Sequence, residues 1–142
     1  MNETLNFLKS QIGQDASKSP SPVMRWLNPT IIHAEEGEVH LELKVRKEFC
    51  NPLDQLHGGI SASIIDDAIG VALYSYGDGV FHSSINLSVD YFSGIQVGHV
   101  VNIKAKVLKK GRRLSNAVCE IFHKDSNRLV ARGTSNLING QA

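Results

Sequence analysis

Residues 51–76, NPLDQLHGGISASIIDDAIGVALYSY, decide how this chain folds. The stretch opens as a loop: Pro52 interrupts regular structure, and Gly58-Gly59 free the backbone for conformations that a side chain forbids. From Gly59 onward, Ile60, Ala62, Ile64, Ile65, Ala68, Ile69, Val71, Ala72 and Leu73 predict a helix of about five turns, apolar almost all round. A helix without a wet face is a core helix, wrapped by other structure. Yet Asp66 and Asp67 stand in its middle, and a buried carboxylate is costly unless it is paired, hydrogen-bonded or facing a cavity.

Helix positions three and four apart share a face. For Asp66 those neighbours are Ala62, Ser63, Ile69 and Gly70, mostly small, which leaves room for a substrate or a water. Asp67 has Ser63, Ile64, Gly70 and Val71 beside it. Either carboxylate could instead bond the backbone of a neighbouring strand. Upstream, free N–H groups at the helix start suit a developing oxyanion, and Gly58 and Gly59 let a ligand approach them closely. A donor at the helix mouth and a carboxylate two turns deeper are two of the parts that acyl transfer requires.

The rest of the composition narrows the field. With 142 residues, the chain forms one domain with room for a core. Apolar residues make up 42%, charged residues 20%, and the net charge is +1, so nothing points to nucleic acid or a membrane surface. Cys50 and Cys119 make neither a disulfide framework nor a metal pattern. The six histidines, at 33, 40, 57, 82, 99 and 123, lack ligand spacing, so no metal is expected. Apolar runs fall short of a membrane span and no signal peptide precedes the first helix; a cytoplasmic protein is expected.

Residues 1–28 read as a helical arm and residues 29–142 as the main domain. Leu5, Leu8 and Ile12 give a short amphipathic helix over residues 2–12. Residues 17–22, with two prolines, form a loop, and residues 23–27 one further turn anchored by Trp26. Alternation of period two then predicts strands over residues 39–46, 84–91, 101–107, 114–123 and 129–138. In the second of these, Ile85, Leu87, Val89 and Tyr91 alternate with Ser84, Asn86, Ser88 and Asp90. Turns fall at residues 109–113 and 125–127. The order predicts an α+β fold, an antiparallel sheet curled around one long helix.

The series Asn51, His57-Gly58-Gly59 and Asp66, spaced Asn-x5-His-Gly-Gly-x6-Asp ahead of an antiparallel run of strands, resembles the hotdog-fold acyl-CoA thioesterases. Within them it is similar to the branch holding the phenylacetate-degradation enzymes and the thioesterase superfamily member 2 proteins. The likeness spans roughly residues 23 to 139. It implies that Asp66 acts as general base on a water or as nucleophile on the thioester carbon. It implies the Gly58 N–H as the donor to the thioester carbonyl, Asn51 as a residue orienting substrate or water, and His57 as a mainly structural loop anchor. Ser84 would assist the water or make a cross-strand bond.

The resemblance further implies an acyl-CoA substrate, small aryl or medium chain, no cofactor, and a homodimer or dimer of dimers whose active site is shared between subunits. The phosphates of coenzyme A call for basic residues, and Lys109, Lys110, Arg112 and Arg113 around Gly111 are the dense cluster, with Gly59 also near the ligand. That cluster reads equally as a solvated turn. Leu73, Tyr74, Phe81 and Phe92 are candidates to close the acyl tunnel. The alternative is a non-catalytic hotdog protein that binds acyl-CoA or another small ligand; a dehydratase lacks its expected histidine motif on the helix.

Overall fold

In the computed structural model, which describes residues 1–140, the alternating segments pair into one antiparallel sheet. Its strands are β1 (Thr30–Glu35), β2 (Glu38–Lys44), β3 (His82–Tyr91), β4 (Val100–Lys110), β5 (Leu114–His123) and β6 (Leu129–Asn139). They run in the order β1-β2-β4-β5-β6-β3. The chain leaves β2 on one side, crosses the sheet as the long helix α3 (Gly58–Tyr74), and returns as β3 on the far edge. Two shorter helices, α1 (Glu3–Ser10) and α2 (Pro22–Leu27), precede the sheet. The expected α+β architecture is the one observed.

β1 escaped the period-two reading because its register slips between Ile31 and His33, which breaks the alternation. α1 is shorter than the expected residues 2–12: Asn2 caps its start by accepting the Leu5 N–H at 2.9 Å, and Ile12 instead bridges to Ile31. α2 begins one residue early because Pro22 sits in its first turn behind the Ser21 cap, where a missing N–H is harmless. Trp26 does not anchor it. Its side chain is half exposed and meets Phe49 edge-on at 4.9 Å, whereas Met24 and Leu27 are the buried residues.

The core lies between one face of α3 and one face of the sheet. Ile64, Ile65, Ala68, Ile69, Ala72 and Leu73 are buried on the helix. Opposite them lie Val39, Leu41 and Leu43 of β2, Val101, Ile103 and Ala105 of β4, Ala117, Cys119 and Ile121 of β5, and Ala131 of β6. Each buried isoleucine or leucine contributes about 1.5–3 kcal/mol of burial energy, an upper bound since the unfolded chain is itself partly collapsed. The wrapping is incomplete, contrary to the sequence reading: Gly59, Asp66, Gly70 and Tyr74 form an open stripe along α3. Apolar composition all round did not require cover all round, because the open stripe itself is two glycines, a carboxylate and a tyrosine.

One contact fixes the height of the helix above the sheet. A Cβ on Gly133 of β6 would stand 2.6 Å from Ile65 Cγ2, so the helix can settle this close only over a glycine. Gly133→Ala is therefore expected to destabilise the protein by about 1–3 kcal/mol through overpacking. In urea unfolding the double variant Gly133→Ala/Ile65→Ala should lose less than the sum of the two single losses, because the new methyl occupies space that the isoleucine vacates.

Candidate active site

The loop before α3 is built by hydrogen bonds that consume most of its polar groups. Asn51 Oδ1 accepts the N–H groups of Leu53 (2.9 Å) and Gln55 (3.2 Å), an Asx-type turn that closes residues 51–55. The His57 N–H donates to the Phe49 carbonyl at 2.8 Å, tying the loop to the core. His57 then caps the helix, its Nδ1 accepting the Gly59 N–H at 2.9 Å. The ring is exposed rather than buried, and its hydrogen bonds join the loop to the helix start. Because Gly59 serves the cap and the Ser61 N–H bonds the His57 carbonyl, the N–H groups of Gly58 and Ile60 are the helix-start donors with no acceptor among the described residues.

Gly58 is also where two elements touch. Its carbonyl accepts the Tyr91 hydroxyl at 2.6 Å, and a Cβ on it would stand 3.3 Å from the Tyr91 ring. Glycine here lets the end of β3 lie directly on the start of α3. Tyr91 was read only as an apolar residue of a strand; its hydroxyl partner is fixed by strand placement, which spacing does not reveal.

Asp66 lies on the open stripe of α3, and Ser84 Oγ donates to its Oδ1 at 3.0 Å. This pairing depends on an irregularity in β3. Ser84 pairs with Leu137 and Asn86 with Asn136, so Ile85 is an extra residue in the strand. Simple alternation puts Ser84 on the face opposite Leu87, Val89 and Tyr91. The bulge reverses the phase and brings Ser84 to the helix side, opposite buried Leu137. Ile85 is thereby left half exposed at 54%.

Asp67 sits differently. It is half buried and accepts from Ser21 Oγ at 3.1 and 3.3 Å, which fastens α2 to α3. Burial pushes its carboxyl above the ordinary value, the Ser21 hydroxyl opposes that, and the Asp66 charge adds to it. Asp67, Gly70, Tyr74, Phe81 and His82 border a cavity of about 400 Å³ beneath the N-terminal arm. Of the tunnel candidates, Tyr74 and Phe81 reach this cavity; Leu73 is buried in the core and Phe92 is exposed elsewhere.

The basic cluster divides. Lys110 is engaged, paired with Asp78 and lying over the Tyr76 ring at 4.7 Å. Arg112 and Arg113 project from the β4–β5 turn as exposed side chains without an ion pair among the described residues. Asn139 fixes the turn by donating from Nδ2 to the Gly111 and Arg112 carbonyls, at 2.7 and 2.9 Å. The Cys50 thiol is pushed up by burial and then by Asp54, which disfavours the thiolate a nucleophile needs. His33, Glu35 and Glu38 come within 4.8 Å of one another across the β1–β2 hairpin, a grouping that became visible only with the β1 pairing. No helix among the described residues is long and apolar enough to cross a membrane.

The family described as the thioesterase superfamily matches residues 54–130. Acyl-coenzyme A thioesterase 13 of Homo sapiens is 32% identical over 104 residues, 73% of this chain and 74% of that protein. The protein of the same name from Mus musculus is 30% identical over the same shares. Among solved structures, zebra fish thioesterase superfamily member 2 superposes with a TM-score of 0.78 at 24% identity, over 96% of this chain and 94% of that one. A hypothetical thioesterase protein from Streptococcus pneumoniae TIGR4, solved with coenzyme A, gives 0.74 at 23% identity, over 80% and 90%. The likeness in shape establishes the hotdog fold.

The displaced carboxyl of Asp67 has a measurable signature. A carboxyl held above its ordinary value binds its proton more tightly in the folded protein than in the unfolded one. That stabilisation is complete below the ordinary value of 3.8 and is lost as pH rises through the folded value. Asp67→Asn keeps an oxygen for Ser21 without the charge. Its melting temperature is expected to exceed wild type at pH 7, with the gap closing as pH falls towards 4; a gap that does not change with pH would contradict the assignment.

Proposed function

Because the chain belongs to the thioesterase superfamily, we propose that it hydrolyses acyl-coenzyme A thioesters to the free acid and coenzyme A, with small aryl or medium-chain acyl groups as substrates. The observation that carries this reading is Asp66, held by Ser84 on an open stripe of the same helix whose first N–H, at Gly58, is uncommitted. Asp66 takes a proton from a water whose oxygen attacks the thioester carbon, and Ser84 fixes the carboxylate's orientation. As the carbon becomes tetrahedral, charge grows on its oxygen, where a Gly58 N–H at the positive helix end stabilises it. The C–S bond then breaks, and the thiolate of coenzyme A leaves and is protonated. In the nucleophilic variant Asp66 attacks the carbon itself and water cleaves the resulting anhydride.

Within one chain these two groups do not meet. Eight residues of helix separate Gly58 from Asp66 by about 12 Å, too far for one carbonyl to touch both. A second copy supplies the missing donor if its helix start lies against the first copy's Asp66. The unpaired edge of β3, which carries Ser84 and Tyr91, is the surface on which two sheets would join. The reading is therefore a homodimer, or a dimer of dimers, with the site shared between subunits. Asn51, whose Nδ2 has no acceptor among the described residues, orients substrate or water, and Arg112 and Arg113 meet the phosphates. The free thiols Cys50 and Cys119 fit a reducing, cytoplasmic setting.

Thiol release from a panel of acyl-CoAs tests the chemistry. Asp66→Asn is expected to lower kcat by about 10²–10⁴ with an unchanged urea midpoint, in keeping with loss of a general base or nucleophile. Wild-type turnover in that variant would sink the mechanism and favour a binding protein. Arg112→Ala with Arg113→Ala should raise KM, more at low salt than at high, since exposed charges are screened. An unchanged KM would remove both arginines from the phosphate site.

A further inference from the structure

The cavity of about 400 Å³ lies inside a single chain, between the N-terminal arm and the C-terminal half of α3. Phe7 and Met24 line it from the arm, Ile31 from β1, and Gly70, Tyr74 and Phe81 from α3 and the segment after it. The wall is apolar apart from a few groups, chiefly the Asp67 carboxylate, which Ser21 answers, and His82, whose Nε2 has no partner among the described residues. Hydrogen bonds frame it on several sides. Ser21 ties α2 to Asp67, the Gly13 N–H donates to the Ile31 carbonyl at 2.8 Å, and Asn2 Nδ2 donates to the Ser75 and Tyr76 carbonyls at 3.0 and 3.1 Å. An apolar space braced in this way does not close by a small shift of one side chain.

The cavity begins where the catalytic groups end. Gly70 lies one turn beyond Asp66 on the same helix face, and His82 lies two residues before Ser84 on the same side of β3. Glycine in the middle of a helix is disfavoured relative to alanine, yet a Cβ on Gly70 would meet nothing within 4 Å. Packing against the protein does not explain that glycine. Space kept open between the carboxylate and the cavity does.

We infer that the substrate's acyl tail enters past Gly70 and lies under the N-terminal arm of the chain that supplies Asp66, so that the arm sets the chain length accepted. The inference rests on the thioesterase reading and names its substrate class. At roughly 30 Å³ per water-sized group a cavity of about 400 Å³ is on the scale of a medium-length chain of about ten carbons. Burial of each added methylene should raise kcat/KM about fourfold until the cavity is full.

The test is a chain-length series from acetyl- to palmitoyl-CoA on wild type, Gly70→Leu and Phe7→Ala. Wild type should peak near decanoyl. Gly70→Leu fills the entrance and should lower the decanoyl-to-butyryl ratio of kcat/KM at least tenfold; Phe7→Ala lengthens the cavity and should move the peak to longer chains. Binding of S-decyl-coenzyme A, a thioether that is not hydrolysed, is measured alongside coenzyme A on all three. A protein that turns over no acyl-CoA yet binds S-decyl-coenzyme A more tightly than coenzyme A, with Gly70→Leu abolishing the difference, would refute the thioesterase reading and keep the chamber. Chain-length preference and thioether binding that match wild type in both variants would overturn the chamber.

Discussion

A helix laid on a sheet can give the sheet one stripe of its circumference, and something else must deal with the remainder. Here α3 divides three ways. Ile64, Ile65, Ala68, Ile69, Ala72 and Leu73 go to the sheet, set close by Gly133. Asp67 looks towards the arm, through a latch at Ser21 and a cavity beyond it. Gly59, Asp66, Gly70 and Tyr74 remain on the open side, the last two also bordering that cavity. The position of every chemically interesting group follows from this division, because a rigid helix fixes their relative angles once one stripe is seated.

β3 is the second fixed part. It holds α3 at two points, through Ser84 at Asp66 and through Tyr91 at the Gly58 carbonyl, so one strand indexes the carboxylate and the helix mouth together. The same strand is an edge of the sheet. Edge strands are usually a liability that proteins blunt with charge or irregularity. β3 has an irregularity at Ile85 and leaves Ile85 and Tyr91 half exposed.

Much of this was legible beforehand. The apolar helix and five of the six strands followed from periodicity, since their faces differ in polarity residue by residue, as in Val39 to Lys44. The motif from Asn51 to Asp66 pointed to the right family. What failed did so for local physical reasons. β1 was hidden by a register slip, and Pro22 concealed the start of α2 because proline is welcome in a helix's first turn. Ser84 was assigned to the wrong face, as alternation assumes that no residue is extra. Lys110 looked like one more free cation until the fold brought Asp78 and Tyr76 to it. The Tyr91 contact and the braced cavity depend on tertiary placement, and no spacing along the chain encodes them.

The extra residue at Ile85 bears on how such a protein can change over time. Along β3, which side chains look inward is a matter of counting, and a bulge makes the count odd. Substitutions leave the parity alone, whereas losing or gaining one codon in this strand exchanges inner and outer residues on one side of the event. Lineages descended from this chain should thus tolerate varied letters in β3 and almost no variation in its length, with indels driven to the turns at either end.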